Sequence, residues 1–412
     1  MLLSSRKETL VLVTLTAIQF TNILDFVIMM PLGPQLMRLF GISPQEFGLV
    51  VSAYTFTAGI TGFLAAFFLD RFDRKKSLLM LYAGFAVGTF LCSVAPTFYF
   101  LLGARIVAGA FGGVIGAVIL TIVADLIPYE RRGSAMGLVM SSFSLAQIAG
   151  VPTGLFLANK FSWHAPFVAL AATALALLAY SWSVLPSVRS HLDKPRIEHP
   201  WHVIKTIFSE QATLKALAFM VTLVVAGFSI IPYISPFVVR NVGVAEADLP
   251  YIYFTAGCAT ILSSNIIGKL ADRYGKLRMF TYVTALSTIP ILLLTHLPVS
   301  PLATVLCVCA LFMVLVSGRM VPSMAIVSAS VPAERRGSFL SINSSVMQIA
   351  SGASTFFAGL ILGKTASGSM THYGTVGFLS VGSTIVCLLL SRTLSAVDIP
   401  PSHSFSQSLS QS

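Results

Sequence analysis

Charge is what this sequence has least of. Of its 412 residues only 10% are Asp, Glu, Lys or Arg, against 56% hydrophobic, and the mean hydropathy is +0.86. A soluble domain carries about 25% charged residues, so a water-exposed fold is excluded. Chemical motifs are equally scarce. The five cysteines (Cys92, Cys258, Cys307, Cys309 and Cys387) all lie in apolar stretches. Their odd count, without Cys-x-x-Cys or Cys/His spacing, points to neither a disulfide framework nor a metal site. The chain also lacks a Walker loop, a G-x-S-x-G elbow, an H-E-x-x-H pair and a dinucleotide fingerprint. No enzyme, no bound cofactor and no ATP-driven pump is therefore expected.

Long apolar runs are what is present. About 20 residues of helix cross a bilayer core of about 30 Å, whereas a transmembrane β-barrel alternates in segments of about 10. The runs divide into twelve spans, near 9–31, 47–69, 77–95, 98–127, 135–158 and 164–186, then 214–240, 250–270, 278–297, 301–331, 338–363 and 374–392. The expected fold is an all-α polytopic membrane protein. The start, Met1 to Lys7, looks like a leader but has no A-x-A pattern, and Asp25 runs on into apolar sequence, so it reads as the first span.

The net charge of +11 would suggest nucleic acid in a soluble protein. Placed on twelve spans, 20 of the 26 Lys and Arg fall on the side of the termini, 4 on the other and 2 (Arg105, Arg319) inside. By the positive-inside bias both termini face the cytoplasm, the excess charge faces anionic lipid, and no nucleic acid is implied. Residues 187–213, preceded by Pro186 and containing Pro195 and Pro200, form a polar linker ending in a short amphipathic stretch. The Ser/Gln-rich tail, 393–412, reads as disordered.

Two loop motifs repeat. Pro128-Tyr129-Glu130-Arg131-Arg132-Gly133 returns as Pro332-Ala333-Glu334-Arg335-Arg336-Gly337, and Asp70-Arg71-Phe72 as Asp272-Arg273-Tyr274. The matching offsets divide the chain into two parallel six-helix halves, 1–186 and 214–392, with a site expected between them near the midplane.

These motifs resemble the major facilitator superfamily over essentially the whole chain, and most closely its bacterial drug and sugar efflux branch. The loop Ala66 to Lys76 is similar to G-x-x-x-D-R-x-G-R-[KR], with Ala66 and Asp73 in place of the glycines; Gly268 to Lys276 is its second-half echo. The resemblance implies a gate in which Asp70 faces the start of the eleventh helix near Ser338. It also implies that Arg74 pairs with Asp125, and that Arg71, Asp272 and Arg273 belong to the same gating apparatus. Leu101-x3-Arg105-x3-Gly109 resembles the fourth-helix motif whose Arg is implicated in proton coupling. Gly150-Val151-Pro152-Thr153-Gly154 resembles the antiporter motif of the fifth, where small residues allow close packing and Pro152 bends the helix.

Charges inside spans cost about 2.5–3.5 kcal/mol each on insertion scales and default to function. By helical rise, Asp25 and Arg105 fall at nearly one depth in the outer half of the membrane, where they can pair. A carboxylate beside an Arg can exchange its proton as that partner moves; the alternative is a static brace. Arg319 lies deeper toward the cytoplasm and can meet an anionic substrate, neutralise an acid or snorkel. Thr21, Asn22, Gln147, Pro152, Tyr233, Asn265, Asn343 and Gln348 are further cavity candidates, each equally readable as an interhelical contact.

The expected function is proton-coupled export of a small molecule by alternating access, from a monomer in the bacterial inner membrane in contact with lipid. The competing readings are uptake of a small anion with protons, using Arg105 and Arg319, and a non-transporting receptor or lipid-binding scaffold on the same fold.

Overall fold

The structure, a computed structural model, describes residues 5–68, 71–189, 200–331, 336–366 and 368–394. Within them the chain forms twelve long helices. The first six are α1 (Ser5–Ile28), α2 (Pro44–Phe68), α3 (Arg74–Ser93), α4 (Phe98–Leu126), α5 (Tyr129–Leu145 continued by Val151–Lys160) and α6 (Ala165–Val184). After the linker come α7 (Gln211–Val242), α8 (Leu249–Tyr274), α9 (Lys276–Thr295), α10 (Leu302–Ala329), α11 (Arg336–Ile361) and α12 (Tyr373–Ser391). Eleven helices are long and apolar enough to cross a membrane. The more polar α8, 26 residues long, packs among them against α5, α9 and α10. All twelve expected spans are present.

Helix starts follow local chemistry. At α2, Ser43 Oγ accepts from Glu46 N–H while Glu46 Oε2 accepts from Ser43 N–H, a reciprocal capping box. Thr97 Oγ1 accepts from Phe100 N–H at the start of α4, and Asp73 accepts from Lys75 N–H at the start of α3.

Three helices break, and each break has a proline that cannot donate. In α5, Pro152 cannot bond the carbonyl four residues back, and Ala146–Gly150 forms a π turn in which Val151 N–H bonds Ala146 O. In α7, Pro232 leaves Phe228 O without its helical donor; Thr355 Oγ1 of α11 supplies one at 3.2 Å. In α10, Pro322 withholds the donor for Gly318 O, and the helix kinks at Arg319. Of the three, only the bend at Pro152 is anticipated by the sequence motifs. The short helix Gly33–Leu39 and a two-residue hairpin, Gly363–Lys364 with Met370–Thr371, were not expected either. The amphipathic stretch of the linker is helical at Pro200–Ser209. Residues 190–199 of the linker and 395–412 of the tail lie outside the described residues.

The apolar core shows how the halves meet. At the end of the bundle remote from the termini, one continuous cluster joins them, from Leu24, Phe47 and Leu155 to Tyr233, Phe237, Phe312 and Tyr373. At the terminal end it divides into a first-half cluster around Leu15, Tyr82 and Ile119 and a second-half cluster around Phe219, Phe280 and Phe339. Helices α2 and α11 stay together throughout, Gly59 and Gly62 lying against Ser345 and Gly352 against Thr55 and Phe56. Helix α8 packs on the π turn and the Val151–Lys160 segment of α5. The bundle is thus sealed at the remote end and parts between α5 and α8 toward the termini.

Candidate functional site

Asp25 and Arg105 meet inside the first half. Arg105 Nη1 donates to Asp25 Oδ2 at 2.7 Å and to the Asp25 carbonyl at 3.3 Å, and neither side chain has any exposed surface. Thr89 of α3 donates to Asp25 Oδ1 at 3.0 Å. The Tyr54 ring of α2 lies under the guanidinium, 4.5 Å from Cζ to ring centroid. Tyr54 in turn donates to Asn22 Oδ1 at 3.1 Å, and Asn22 Nδ2 donates to Gly112 O at 3.1 Å. Four helices therefore converge on one ion pair.

The packing that permits this is tight. A Cβ on Gly109 would lie 2.3 Å from Tyr54 O and 2.7 Å from Tyr54 Cα, and one on Gly112 would lie 2.4 Å from the Tyr54 hydroxyl. Small residues let α4 approach the α2 backbone closely enough to place the ring beneath Arg105. Burying an ion pair is a poor way to gain stability, because desolvation offsets the Coulomb attraction. Its chemical capacity is exchange: protonation of the carboxylate cancels the attraction and frees the guanidinium.

The second half holds a different cation. Arg319, 1% exposed, donates to Leu223 O at 3.3 Å and Thr384 Oγ1 at 3.4 Å, at the kink of α10. Among the described residues it makes no ion pair. Its two acceptors lie on α7 and α12. Arg319 is thereby placed among α7, α10 and α12.

The other sequence candidates separate into three places. Gln147, together with Phe143, Ser144, Thr260, Ile261 and Ser317, lines the cleft between α5 and α8, and Asn265 is exposed further along α8. Asn343 is buried on α11, donating to Met347 Sδ at 3.3 Å, with its carbonyl oxygen unpartnered; Gln348 is half-buried further along the same helix. Tyr233 is fully buried in the sealed end, donating to Thr355 O at 2.7 Å, and Pro152 follows the π turn. Thr21 pairs with the Tyr82 hydroxyl and borders an apolar groove of about 220 Å³ between α1, α5 and α6.

At the terminal end, Arg74 Nε and Asp125 Oδ2 pair at 3.4 Å. Asp70 lies outside the described residues. Arg71, Asp272 and Arg273 are exposed, with Arg273 over the Tyr274 ring at 5.4 Å. Asp73, standing where the motif has glycine, has φ −55° and needs no left-handed backbone. It accepts from Ser187 Oγ, from Arg189 Nε at 3.0 Å and from Val188 N–H at 3.4 Å, tying the loop to the beginning of the linker. Burial pushes its carboxyl up, but those donors and Lys75 N–H outweigh it and hold the pKa down at about 2.

Sequence reasoning missed three contributors: Thr89, the packing role of Tyr54, and a lock at the sealed end. There Arg38 of the first half forms a bidentate pair with Glu246 of the second. Asn159 donates to Glu246 O at 3.3 Å and accepts from Gln35 at 2.6 Å. Only the loop positions of Arg38 and Glu246, both far from the basic side, hinted at it.

A multi-pass helical membrane protein with two six-helix halves, a buried ion pair and a cleft open at one end defines the class. The model of the Major Facilitator Superfamily matches residues 15–355 and 217–408, and the chain belongs to that superfamily, whose members are transporters and not enzymes. It is 27% identical over 372 residues to "Uncharacterized MFS-type transporter YceJ" of Bacillus subtilis, covering 90% of this chain and 91% of that one. It is 23% identical over 255 residues to a Pasteurella multocida protein named "Probable sugar efflux transporter", covering 62% of each. Among solved structures it resembles a bacterial homolog of the human lysosomal transporter Spinster in an inward-facing, unoccupied conformation. The TM-score is 0.75 at 15% identity, over 95% of this chain and 98% of that one.

Proposed function

We propose that this transporter is a proton-coupled antiporter that exports a small polar solute across the bacterial inner membrane. The observation that carries the proposal is the Asp25–Arg105 pair, 2.7 Å apart and wholly buried. With both termini cytoplasmic, as the Lys/Arg bias argues, the parted seam between α5 and α8 opens to the cytoplasm. A solute enters along Gln147, Ser144, Thr260 and Ser317, whose amides and hydroxyls suit a neutral hydrogen-bonding molecule such as a sugar. The halves then rock, the Arg38–Glu246 lock opens, and the solute leaves. Asp25 takes a proton from outside, Arg105 is released, and the return swing delivers the proton inward.

The site is built from one chain, so a monomer suffices, and the exposed basic loops meet anionic lipid. Everted vesicles test the direction. An imposed acid interior is expected to drive accumulation of a radiolabelled sugar. Accumulation driven only by the opposite gradient would establish uptake and overturn export.

A further inference from the structure

We propose that Tyr54 is the positioning residue for Arg105, and that the ring stack Tyr54–Phe26–Phe228 carries the state of the Asp25–Arg105 pair into the second half. This rests on the coupling role assigned to that pair. The stack is continuous. Tyr54 lies 4.5 Å beneath the Arg105 guanidinium, Phe26 stacks on Tyr54 at 5.2 Å, and Phe228 stacks on Phe26 at 6.4 Å. Both ring pairs have interplanar angles of 27°. The three rings come from α2, α1 and α7, so the last contact crosses between the halves.

Each end of the stack is mechanically special. Tyr54 is 3% exposed and anchored through Asn22 to Gly112 O, with no room for a Cβ at Gly109 or Gly112. This close packing against α4 seats the ring beneath Arg105. Phe228 closes the first segment of α7, where Pro232 removes a backbone donor and Thr355 of α11 substitutes for it. That break is the weak point of the helix, and α11 is the partner of α2 along the whole seam. Phe26 immediately follows Asp25 in α1, so reorganisation at the carboxylate is felt directly in the stack. A cation held on a desolvated ring gains about 2 kcal/mol, equivalent to about thirtyfold in a population ratio, and that preference is lost when Arg105 leaves. The charged or titratable groups facing Asp25 are Arg105 of α4, Tyr54 of α2 and Cys92 of α3.

The proton itself is the probe. Leu39 and Val299, exposed on opposite halves at the sealed end, are replaced by cysteine in a background in which Cys258 and Cys307, the native cysteines that are not buried, are alanine. Both are then spin-labelled, and the inter-label distance distribution is titrated with pH in nanodiscs. The parent protein is expected to change its ratio of open to sealed forms with pH. Tyr54→Leu is expected to reduce that change by up to about thirtyfold and Phe228→Leu to reduce it in the same direction, whereas Tyr54→Phe, which keeps the ring, stays within about twofold. A merely structural role would alter the starting ratio and leave its pH-dependent change intact. Parental pH responses in both leucine variants overturn the inference; if Tyr54→Leu does not fold, Phe228→Leu and Phe26→Leu decide it. A pH response that survives Asp25→Asn instead overturns the coupling role of the pair.

Discussion

Replacing Gly109 by alanine tests the packing beneath the ion pair with a single carbon. An added Cβ meets Tyr54 O at 2.3 Å, Thr57 Oγ1 at 2.4 Å and Tyr54 Cα at 2.7 Å. Two of these atoms are backbone, so a rotamer change cannot relieve the clash and α4 must move away from α2. Overpacking of this kind costs about 1–3 kcal/mol, while alanine in a helix recovers about 0.5–1 kcal/mol relative to glycine. A net loss of up to about 2.5 kcal/mol is therefore expected. Gly103, earlier on the same helix, has no atom within 4 Å of where a Cβ would stand, so Gly103→Ala is neutral or stabilised by up to about 1 kcal/mol. Reversible unfolding in mixed micelles compares the two. Arg105 stands one turn before Gly109, so the displaced α4 also draws the guanidinium off the Tyr54 ring. Equal stability of Gly109→Ala and Gly103→Ala would refute the close-packing argument.

Three further outcomes are expected. Thr89→Val removes the hydroxyl donor to Asp25 at nearly constant volume and costs about 1.5–3 kcal/mol by the same unfolding assay, with Thr89→Ser close to the parent. Glu246→Gln opens the exposed Arg38 lock, whose worth of about 0.2–1 kcal/mol predicts a shift of about five-fold or less toward the form open at that end, measured by the distance between spin labels at Leu39 and Val299. Because the Asp73 pKa is depressed to about 2, its contribution to stability is present above the ordinary carboxylate range and is lost as pH falls from there through about 2. Asp73→Asn should flatten that acid limb, and pH-dependent unfolding in detergent measures it.

Much of this architecture is legible in the residues because the bilayer makes one demand of all of them. Backbone groups in lipid must bond within their own helix, so apolar run length alone locates the twelve helices, and the rarity of internal charge singles out Asp25, Arg105 and Arg319. Coincident depth allows Asp25 and Arg105 to pair, and the family motif implies the pairing of Arg74 with Asp125. Depth along a helix does not state which way a side chain turns. Tyr233, Gln147 and Asn265 share a polar or aromatic character, yet one is buried in the sealed end and the others line or flank the cleft. Arg319 illustrates the same limit, since its place among α7, α10 and α12 depends on a kink that follows from Pro322. Thr89 was invisible for another reason: a lone threonine in an apolar helix has no pattern that distinguishes it from Thr61, which bonds its own backbone.

The central claim is that Asp25 carries the proton, and Asp25→Asn tests it most directly. Reconstituted protein is measured twice for the same solute, as accumulation driven by an imposed pH gradient and as solute exchange without one. The account predicts that Asp25→Asn keeps exchange and loses gradient-driven accumulation. Accumulation equal to that of the parent protein would contradict it.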